Sequence, residues 1–287
     1  MIYRRRASPL HAARAAAASL YCIVLASVAL SFEHPAILLA LLATVIAAAA
    51  GAKVAGPVAR AIALGVPFAL IIALVNALVV RDGLTVIARL GTVPVLGLLD
   101  ITAEATAYGG VLALRALVVI GCFALHSAAV DPDDLLRAAR RVSFRSALTA
   151  ALATRLVPVL ARDARRLHEA QRCLARPPAS RATVVRAVAA GALDRAVDVA
   201  ATLEVRGYGG AGRPARRRRP WSRHDLAFAA SAAALAALGT AAWLGDWERF
   251  TAYPLLSAPL DGARLALAAA LAVCALLPFA DRWGIEP

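Results

Sequence analysis

The chain has 287 residues, of which 61% are hydrophobic and 17% charged, and its mean hydropathy is +0.70. This composition is too apolar for a soluble domain of that length and indicates an integral membrane protein. Basic residues outnumber acidic ones by 32 to 18, and the four scattered cysteines imply neither a disulfide scaffold nor a zinc site.

Six stretches of the chain are candidate transmembrane helices. A helix needs about twenty apolar residues to cross a hydrocarbon core of ~30 Å, and an open sheet could not satisfy its edges in lipid. The candidates cover residues 15–32, 36–51, 57–80, 107–130, 226–244 and 263–280. The predicted fold class is therefore an all-α, polytopic membrane protein of about six spans.

The cations of the connections predict the orientation of these spans. Four arginines precede the first span, Lys53 and Arg60 lie between the second and third, and twenty of the 32 basic residues lie within 131–224. The connections 31–35, 81–106 and 245–262 are acidic or mixed. Because cytoplasmic loops carry the excess of cations, we expect a multi-pass protein of a prokaryotic cell membrane, with both termini in the cytoplasm.

Three segments follow from this pattern. Residues 1–130 form an N-terminal transmembrane bundle of about four spans, 131–224 a cytoplasmic arginine-rich region, and 225–287 a C-terminal transmembrane hairpin. The middle segment holds eight acidic residues against its twenty basic ones, so it carries +12 of the formal +14. Topology, attraction to anionic lipid headgroups and binding of an acidic partner each account for such a charge.

Two amphipathic helices are predicted within the arginine-rich segment. Asp131-Pro132-Asp133-Asp134 has the features of a helix start. Apolar residues then recur at helical spacing over 156–174, and Pro177-Pro178 must end that helix. A second helix ends at Gly207 and places Arg206 in its last turn, where a cation stabilises the helix dipole. Its apolar side comprises Val185, Val188, Ala192, Val197, Ala200 and Leu203.

A sequence at the end of the second helix resembles a family signature. Residues 202–209, Thr-Leu-Glu-Val-Arg-Gly-Tyr-Gly, are similar to the Ala-x-Glu-Ala-Arg-Gly-Tyr/Phe-Gly motif of the transmembrane T component of energy-coupling factor transporters, which includes the cobalt-type, CbiQ-like permease subunit. Further family positions match in order at Tyr108-Gly109, Ala113-Leu114-Arg115, 131–137, 155–158 and Ala170-Gln171. The resemblance covers about residues 102–209.

The resemblance implies that arginines at two helix ends dock into grooves of two cytoplasmic ATPases. Arg206 would be one docking residue, with Glu204 and Gly207 beside it. A guanidinium fork suits this role because it forms charge-assisted, bidentate hydrogen bonds that lysine cannot copy. Leucine stands at 174, where the family has the first docking arginine, so Arg176 is the preferred substitute and Arg172 the second choice.

By the same resemblance, the chain is a scaffold of an ABC-type importer. It would link two ATP-binding-cassette ATPases, identical or different, to a small membrane S component that binds a vitamin or a transition metal such as cobalt or nickel. The chain has no Gly-x-x-x-x-Gly-Lys-Ser/Thr phosphate loop, so we expect ATP hydrolysis in the partners. We predict no catalytic residues, no bound cofactor and no metal site in the chain itself.

Two polar residues inside predicted spans are further candidates. A charged side chain such as that of Arg115 costs free energy when it is exposed to lipid. We expect Arg115 to form a structural pair with Glu104 or another polar group, or else to lie at the interface with the S component. Asn76 could form a hydrogen bond between helices.

Two rival functions give different sequence patterns. A self-sufficient secondary transporter would carry an ion-coupling carboxylate within a span or matching broken helices in two halves, and neither is visible. A membrane-tethered nucleic-acid binder would interleave arginines with aromatics, whereas the segment has only Phe144, Tyr208 and Trp221. We therefore expect no nucleic-acid partner. The run 216–219 and Arg223 are expected to hold the next span at anionic lipid.

Overall fold

The chain folds as a helical protein. In a computed structural model, the described residues are 5–80, 83–93, 97–139, 144–173, 180–207, 220–245 and 261–281. The helices are α1 (Pro9–Ala12), α2 (Ala15–Ser31), α3 (Pro35–Gly51), α4 (Ala55–Val79), α5 (Ala103–Ala129), α6 (Pro132–Ala139), α7 (Phe144–Arg172), α8 (Arg181–Val205), α9 (Arg223–Leu244) and α10 (Gly262–Leu276). The predicted all-α class is confirmed.

The six predicted spans correspond to six apolar helices. Four of them are long and apolar enough to cross a membrane: α4, α5, α9, and α10 extended by a 3-10 turn to Phe279. The other two, α2 and α3, have 17 residues each. At 1.5 Å per residue they are ~26 Å long, at the lower end of what a span requires.

A short β-hairpin lies in the connection between α4 and α5. Strands β1 (Val86–Val93) and β2 (Gly97–Thr102) are antiparallel. The buried carboxylate of Glu104 accepts a hydrogen bond from the Thr85 backbone N–H at 3.2 Å. Gly83 lies so close that a Cβ there would be 2.5 Å from a Glu104 oxygen. Glu104 therefore fixes the start of the hairpin to the first turn of α5.

The apolar core joins helices from both ends of the chain. Tyr21 of α2 and Phe228 of α9 pack edge to face at 5.3 Å, and Phe279 completes the cluster at 5.3 Å from Phe228. The Tyr21 hydroxyl donates to the Ala275 carbonyl at 3.0 Å. The described residues of Met1–Leu135 and Trp221–Pro287 thus form one compact unit, which we call the bundle.

Two polar contacts show which helix ends of the bundle lie together. The Ser19 hydroxyl, near the start of α2, is 3.1 Å from Nε2 of His126, near the end of α5. Arg14, which precedes α2, forms an ion pair of 3.0 Å with Asp225 in the first turn of α9. The starts of α2 and α9 and the end of α5 therefore share one end of the bundle.

The ends of α3 and α10 lie at that same end. Arg223 at the start of α9 is 3.5 Å from the carboxylate of Asp281, which follows the 3-10 turn after α10. Gly51, the last residue of α3, packs on Phe279, since a Cβ on this glycine would be 2.8 Å from that ring. We call this end of the bundle the basic end, because Arg5, Arg6, Arg14, Lys53, Arg60 and Arg223 lie there.

The described residues of Leu136–Pro220 form a second compact unit, built mainly from α7 and α8. The predicted helix start before it is present, since the Asp131 carboxylate accepts from the Asp133 N–H at 2.9 Å and Pro132 is the first residue of α6. Helix α7 has 29 residues, with Pro158 inside it, and α8 has 25. The predicted stop at Pro177-Pro178 lies outside the described residues.

Candidate functional site

The end of α8 presents the signature residues to solvent. Arg206 is the cap residue directly after the helix, one position beyond the predicted last turn, and its N–H donates to the Thr202 carbonyl at 3.2 Å. Gly207 follows with φ +77°, and its N–H donates to the Glu204 carbonyl at 2.8 Å. Glu204, Arg206 and Gly207 are all exposed.

The geometry at Gly207 explains why a glycine stands there. A φ of +77° is in the left-handed region that glycine adopts without steric cost. Nothing lies within 4 Å of where its Cβ would be, so the backbone conformation and not a lack of space favours glycine. The turn ends α8 at once and leaves the Arg206 guanidinium, with its five donors, at an exposed tip.

The end of α7 carries a second exposed arginine. Arg172 is the last residue of α7 and is exposed, as is Cys173 after it. Leu174 and Arg176, the position of the family arginine and its preferred substitute, lie outside the described residues. Arg172 is thus the described candidate at this helix end.

An ion pair joins α7 to α8. Arg195 of α8 is 3.0 Å from the carboxylate of Asp163 in α7, and both side chains are partly buried. On α7, Ala170 of the predicted apolar side is exposed and Leu174 lies outside the described residues, whereas the other four members are partly buried: Leu156, Val159, Leu160 and Leu167. The two helices therefore contact through a mixed apolar and charged surface.

The apolar side of α8 differs from the predicted one. Val188, Ala192 and Leu203 are partly buried as expected, together with Arg195, but Val185 and Val197 are 66% and 64% exposed. Ala200 of the predicted side is exposed as well. Val197 is nine residues, or two and a half turns, from Val188, so it lies on the opposite side of the helix. Apolar side chains that stay exposed on α7 and α8 are Val157, Val185, Leu193, Val197 and Val205.

Arg115 is held inside the bundle, but its partner is not Glu104. Its Nη2 donates to the Phe32 carbonyl at 2.9 Å and lies 3.3 Å from a Glu33 carboxylate oxygen. Of the predicted partners, Glu104 or another polar group, the structure has the second, because the Glu104 carboxylate binds the start of the hairpin at Thr85. Arg115 thus connects α5 to the residues that follow α2.

Asn76 lies where α4 and α5 approach closely. A Cβ on Gly109 of α5 would be 2.8 Å from the Ala73 carbonyl and 3.1 Å from the Asn76 Cβ. The Asn76 side-chain oxygen is buried and has no hydrogen-bond partner among the described residues. The interhelical hydrogen bond expected of Asn76 is thus not formed by that oxygen within the described part of the chain.

Two further features of the described residues concern a metal site and a buried ion pair. In the described part of the chain, no group of three or more His, Cys, Asp or Glu side chains could hold a metal ion. Sequence reasoning missed the pair Arg14–Asp225, in which Asp225 is 1% exposed. The spacing Ser222-x-x-Asp225 is a local capping signal that could have indicated Asp225, but not its partner.

The fold and the exposed helix ends define a multi-pass membrane protein with a second, charged helical unit. The family model of CbiQ, described as cobalt transport protein, matches residues 6–217. The chain therefore belongs to the CbiQ cobalt transport protein family, and is a membrane component of cobalt transport. The match includes Asn76, Arg115 and every predicted docking residue. No curated protein sequence matches the chain.

Proposed function

We propose that this chain is the transmembrane energy-coupling scaffold, or T component, of an ABC-type importer. It joins two cytoplasmic ATPases to a small membrane S component that binds the cargo. The observation that carries the proposal is the exposed Arg206 at the tip of α8, followed by the left-handed Gly207, in a chain of a transport family.

Arg206 suits the docking role for two physical reasons. A cation at a helix C-terminus is stabilised by the dipole in the free protein, so the side chain is placed before a partner arrives. A guanidinium that enters an acidic groove gains charge-assisted, bidentate hydrogen bonds. Glu204 and Gly207 are part of the docking site at Arg206, and Arg176, or Arg172 at the end of α7, serves the other site.

Three apolar side chains of α8 that stay exposed support a macromolecular partner for the same unit. Leu193, Val197 and Val205 are 68%, 64% and 89% exposed, and they recur at spacings of four and eight residues on one side of the helix. A row of this kind, next to arginines, offers an apolar contact surrounded by charges, which is the usual composition of a protein interface.

The orientation we propose places the basic end of the bundle in the cytoplasm. Lys53 lies between α3 and α4, Arg60 in the second turn of α4 and Arg223 at the start of α9, so cations cluster at this end, as is usual on the cytoplasmic side of a membrane protein. The transmembrane segments are then 1–130 and 225–287 of a prokaryotic cell membrane, and 131–224 is cytoplasmic. The same cations contact anionic lipid headgroups at ~1 kcal/mol each.

The mechanism that we propose uses the two helix ends as contact points. ATP binding closes the ATPase dimer, the arginine-bearing ends of α7 and α8 move with it, and the bundle passes this movement to the S component, which reorients and releases its cargo inward. Arg115 and Asn76, on helices of the bundle, are candidates for the contact with the S component. The family description makes cobalt the first cargo to test, with nickel and vitamins next.

The docking role of Arg206 is tested by affinity purification of the tagged chain in detergent. Loss of one partner of a buried charged pair typically costs ~2–5 kcal/mol of binding, so Arg206→Glu should lose the ATPases that the wild type retains, as identified by mass spectrometry. Arg186→Glu is the matched control, because Arg186 is also exposed on α8 but lies outside the signature. A monodisperse wild-type protein that retains no ATPase would contradict the proposal.

A further inference from the structure

The N-terminal segment, residues 8–19, contacts the first of the two places where the second unit joins the bundle. Residues 126–134, the first root, end α5 and lead into α6. The Ser19 hydroxyl is 3.1 Å from His126 Nε2. A small cavity is lined by Leu10 and His11 from the N-terminal segment and by Asp131 and Asp134 from the first root. The first root is therefore packed against the N-terminal segment.

The same segment contacts the second root, residues 221–225, where the chain returns to the bundle and begins α9. The Arg14 guanidinium lies 5.5 Å from the centre of the Trp221 ring and 3.0 Å from the Asp225 carboxylate. Helix α1 packs against α9. One short segment of chain therefore touches both roots of the unit that carries Arg172 and Arg206.

Asp225 is the centre of the second contact. Its side chain is buried, at 1% exposure of the residue. One oxygen accepts the Arg14 backbone N–H at 2.6 Å, and the other accepts the Ser222 N–H at 2.9 Å and pairs with the Arg14 guanidinium. A single carboxylate thus satisfies free amides at the starts of both α2 and α9, where helix dipoles also favour a negative charge.

The connectivity gives this pair a consequence for coupling. The chain runs from the bundle into the second unit through the first root and returns through the second, so Trp221 is the part of the bundle that follows α8 along the chain. The Arg14–Asp225 pair joins the starts of α2 and α9, in addition to the packing of Tyr21 on Phe228 further along the same two helices, and α2 contacts the first root through Ser19. Without the pair, the start of α9 is held to the start of α2 less tightly and can be displaced further than α2.

We infer that Arg14 and Asp225 are positioning residues for energy coupling. Their ion pair joins the two roots, so that movement of α7 and α8 displaces α2, α5 and α9 together. This inference rests on the proposed function. If the pair is only structural, its loss changes the distance between α2 and α9 in the absence of nucleotide. If the pair acts in coupling, its loss changes that distance only when nucleotide has closed the ATPases.

The test measures the distance between α2 and α9 by pulsed electron spin resonance in the complex with its ATPases. Spin labels are attached after Ala16→Cys and Leu226→Cys, at exposed positions just inside the two helix starts. Cys173→Ser and Cys274→Ser remove the two free cysteines that are not buried. Distances are compared without nucleotide and with the ATPases trapped closed by ATP and vanadate.

In the wild type we expect the same narrow distance distribution in both states. In Asp225→Asn and Arg14→Gln we expect the wild-type distance without nucleotide and a shift of about 2 Å in the trapped state, the scale of helix shifts in switching proteins. Arg14→Gln keeps the hydrogen bond from its backbone N–H to Asp225 and the Ser222 cap, so we expect this variant to fold. It therefore tests the role of the ion pair even if Asp225→Asn fails to fold. Asp261→Asn, which removes another Arg–Asp pair at a helix start, is the control and should match the wild type.

Two results would overturn the inference while the proposed function stands. One is a distance that is already altered without nucleotide in Arg14→Gln, which indicates a structural role only. The other is an unchanged distance in the trapped state of both variants. A wild-type chain that binds no ATPase overturns the proposed function, and this inference with it.

Discussion

Gly207 forms the left-handed turn that directly follows Arg206 at the end of α8. Its φ of +77° is one that alanine adopts only with a steric cost of about 1–2 kcal/mol. We expect Gly207→Ala to alter the helix end and to weaken ATPase capture severalfold without unfolding the chain. Co-purification of the ATPases, quantified against the tagged chain, measures this effect.

Gly191 provides the control for this substitution. It lies inside α8, is exposed, and has nothing within 4 Å of where its Cβ would be. Because alanine is favoured over glycine in a helix by about 1 kcal/mol, Gly191→Ala should keep capture intact or strengthen the helix. Equal capture by both variants would show that the left-handed turn does not matter for docking.

Residue roles were predictable from sequence only where the signal is local. The end of α8 at Gly207 follows from a glycine after a helical pattern, and the structure places it there. The partner of Arg115 depends instead on how α2 packs against α5, so the sequence left it open between Glu104 and another polar group, and the structure has Glu33. Asp225 has a local signal in Ser222, but its pairing with Arg14 joins positions 211 residues apart.

Helices α4 and α5 are packed closely enough that one glycine controls their separation. A Cβ on Gly109 would be 2.8 Å from the Ala73 carbonyl, a backbone atom that cannot move aside alone. Gly109→Ala must therefore separate the helices, and we expect a loss of about 1–3 kcal/mol of stability. The midpoint of thermal unfolding in detergent, followed by circular dichroism, measures it.

The neighbouring Gly110 provides the control for Gly109→Ala. Gly110 is on the same turn of α5, and nothing lies within 4 Å of where its Cβ would be. Gly110→Ala should leave the unfolding midpoint unchanged or slightly raised, since alanine is the better helix former. A drop of equal size in both variants would mean that helix propensity, and not the α4–α5 contact, sets the cost.

At the level of elements, apolar runs predicted all six bundle helices to within a few residues, because length and lack of charge suffice for a span. The β-hairpin was not predicted. Its residues, from Val86 to Thr102, are apolar without strict alternation, so no period of two marks them as strands. The buried Glu104 that fixes the hairpin is likewise a tertiary feature, because its partner Thr85 lies 19 residues away.

For the whole molecule, the sequence predicts an orientation in the membrane, and the structure shows which helix ends share one end of the bundle. The contacts at Arg14–Asp225, Ser19–His126 and Arg223–Asp281 place the starts of α2 and α9 and the ends of α5 and α10 at one end. Helix packing cannot say which side of the membrane that end faces. The side follows only from the distribution of cations, which is an electrostatic argument of its own.

The orientation is testable with a membrane-impermeant maleimide on whole cells. Cys173 is exposed after α7 and should react only after the cells are opened, because the unit that contains it is proposed to be cytoplasmic. In a Cys173→Ser, Cys274→Ser background, Leu84→Cys should react from outside, since Leu84 is 69% exposed between α4 and the hairpin, away from the basic end. The remaining cysteines, Cys22 and Cys122, are buried, so the background reaction is low. The reverse labelling pattern would place the arginine-rich unit outside the cell, where no ATP-driven partner could reach Arg206.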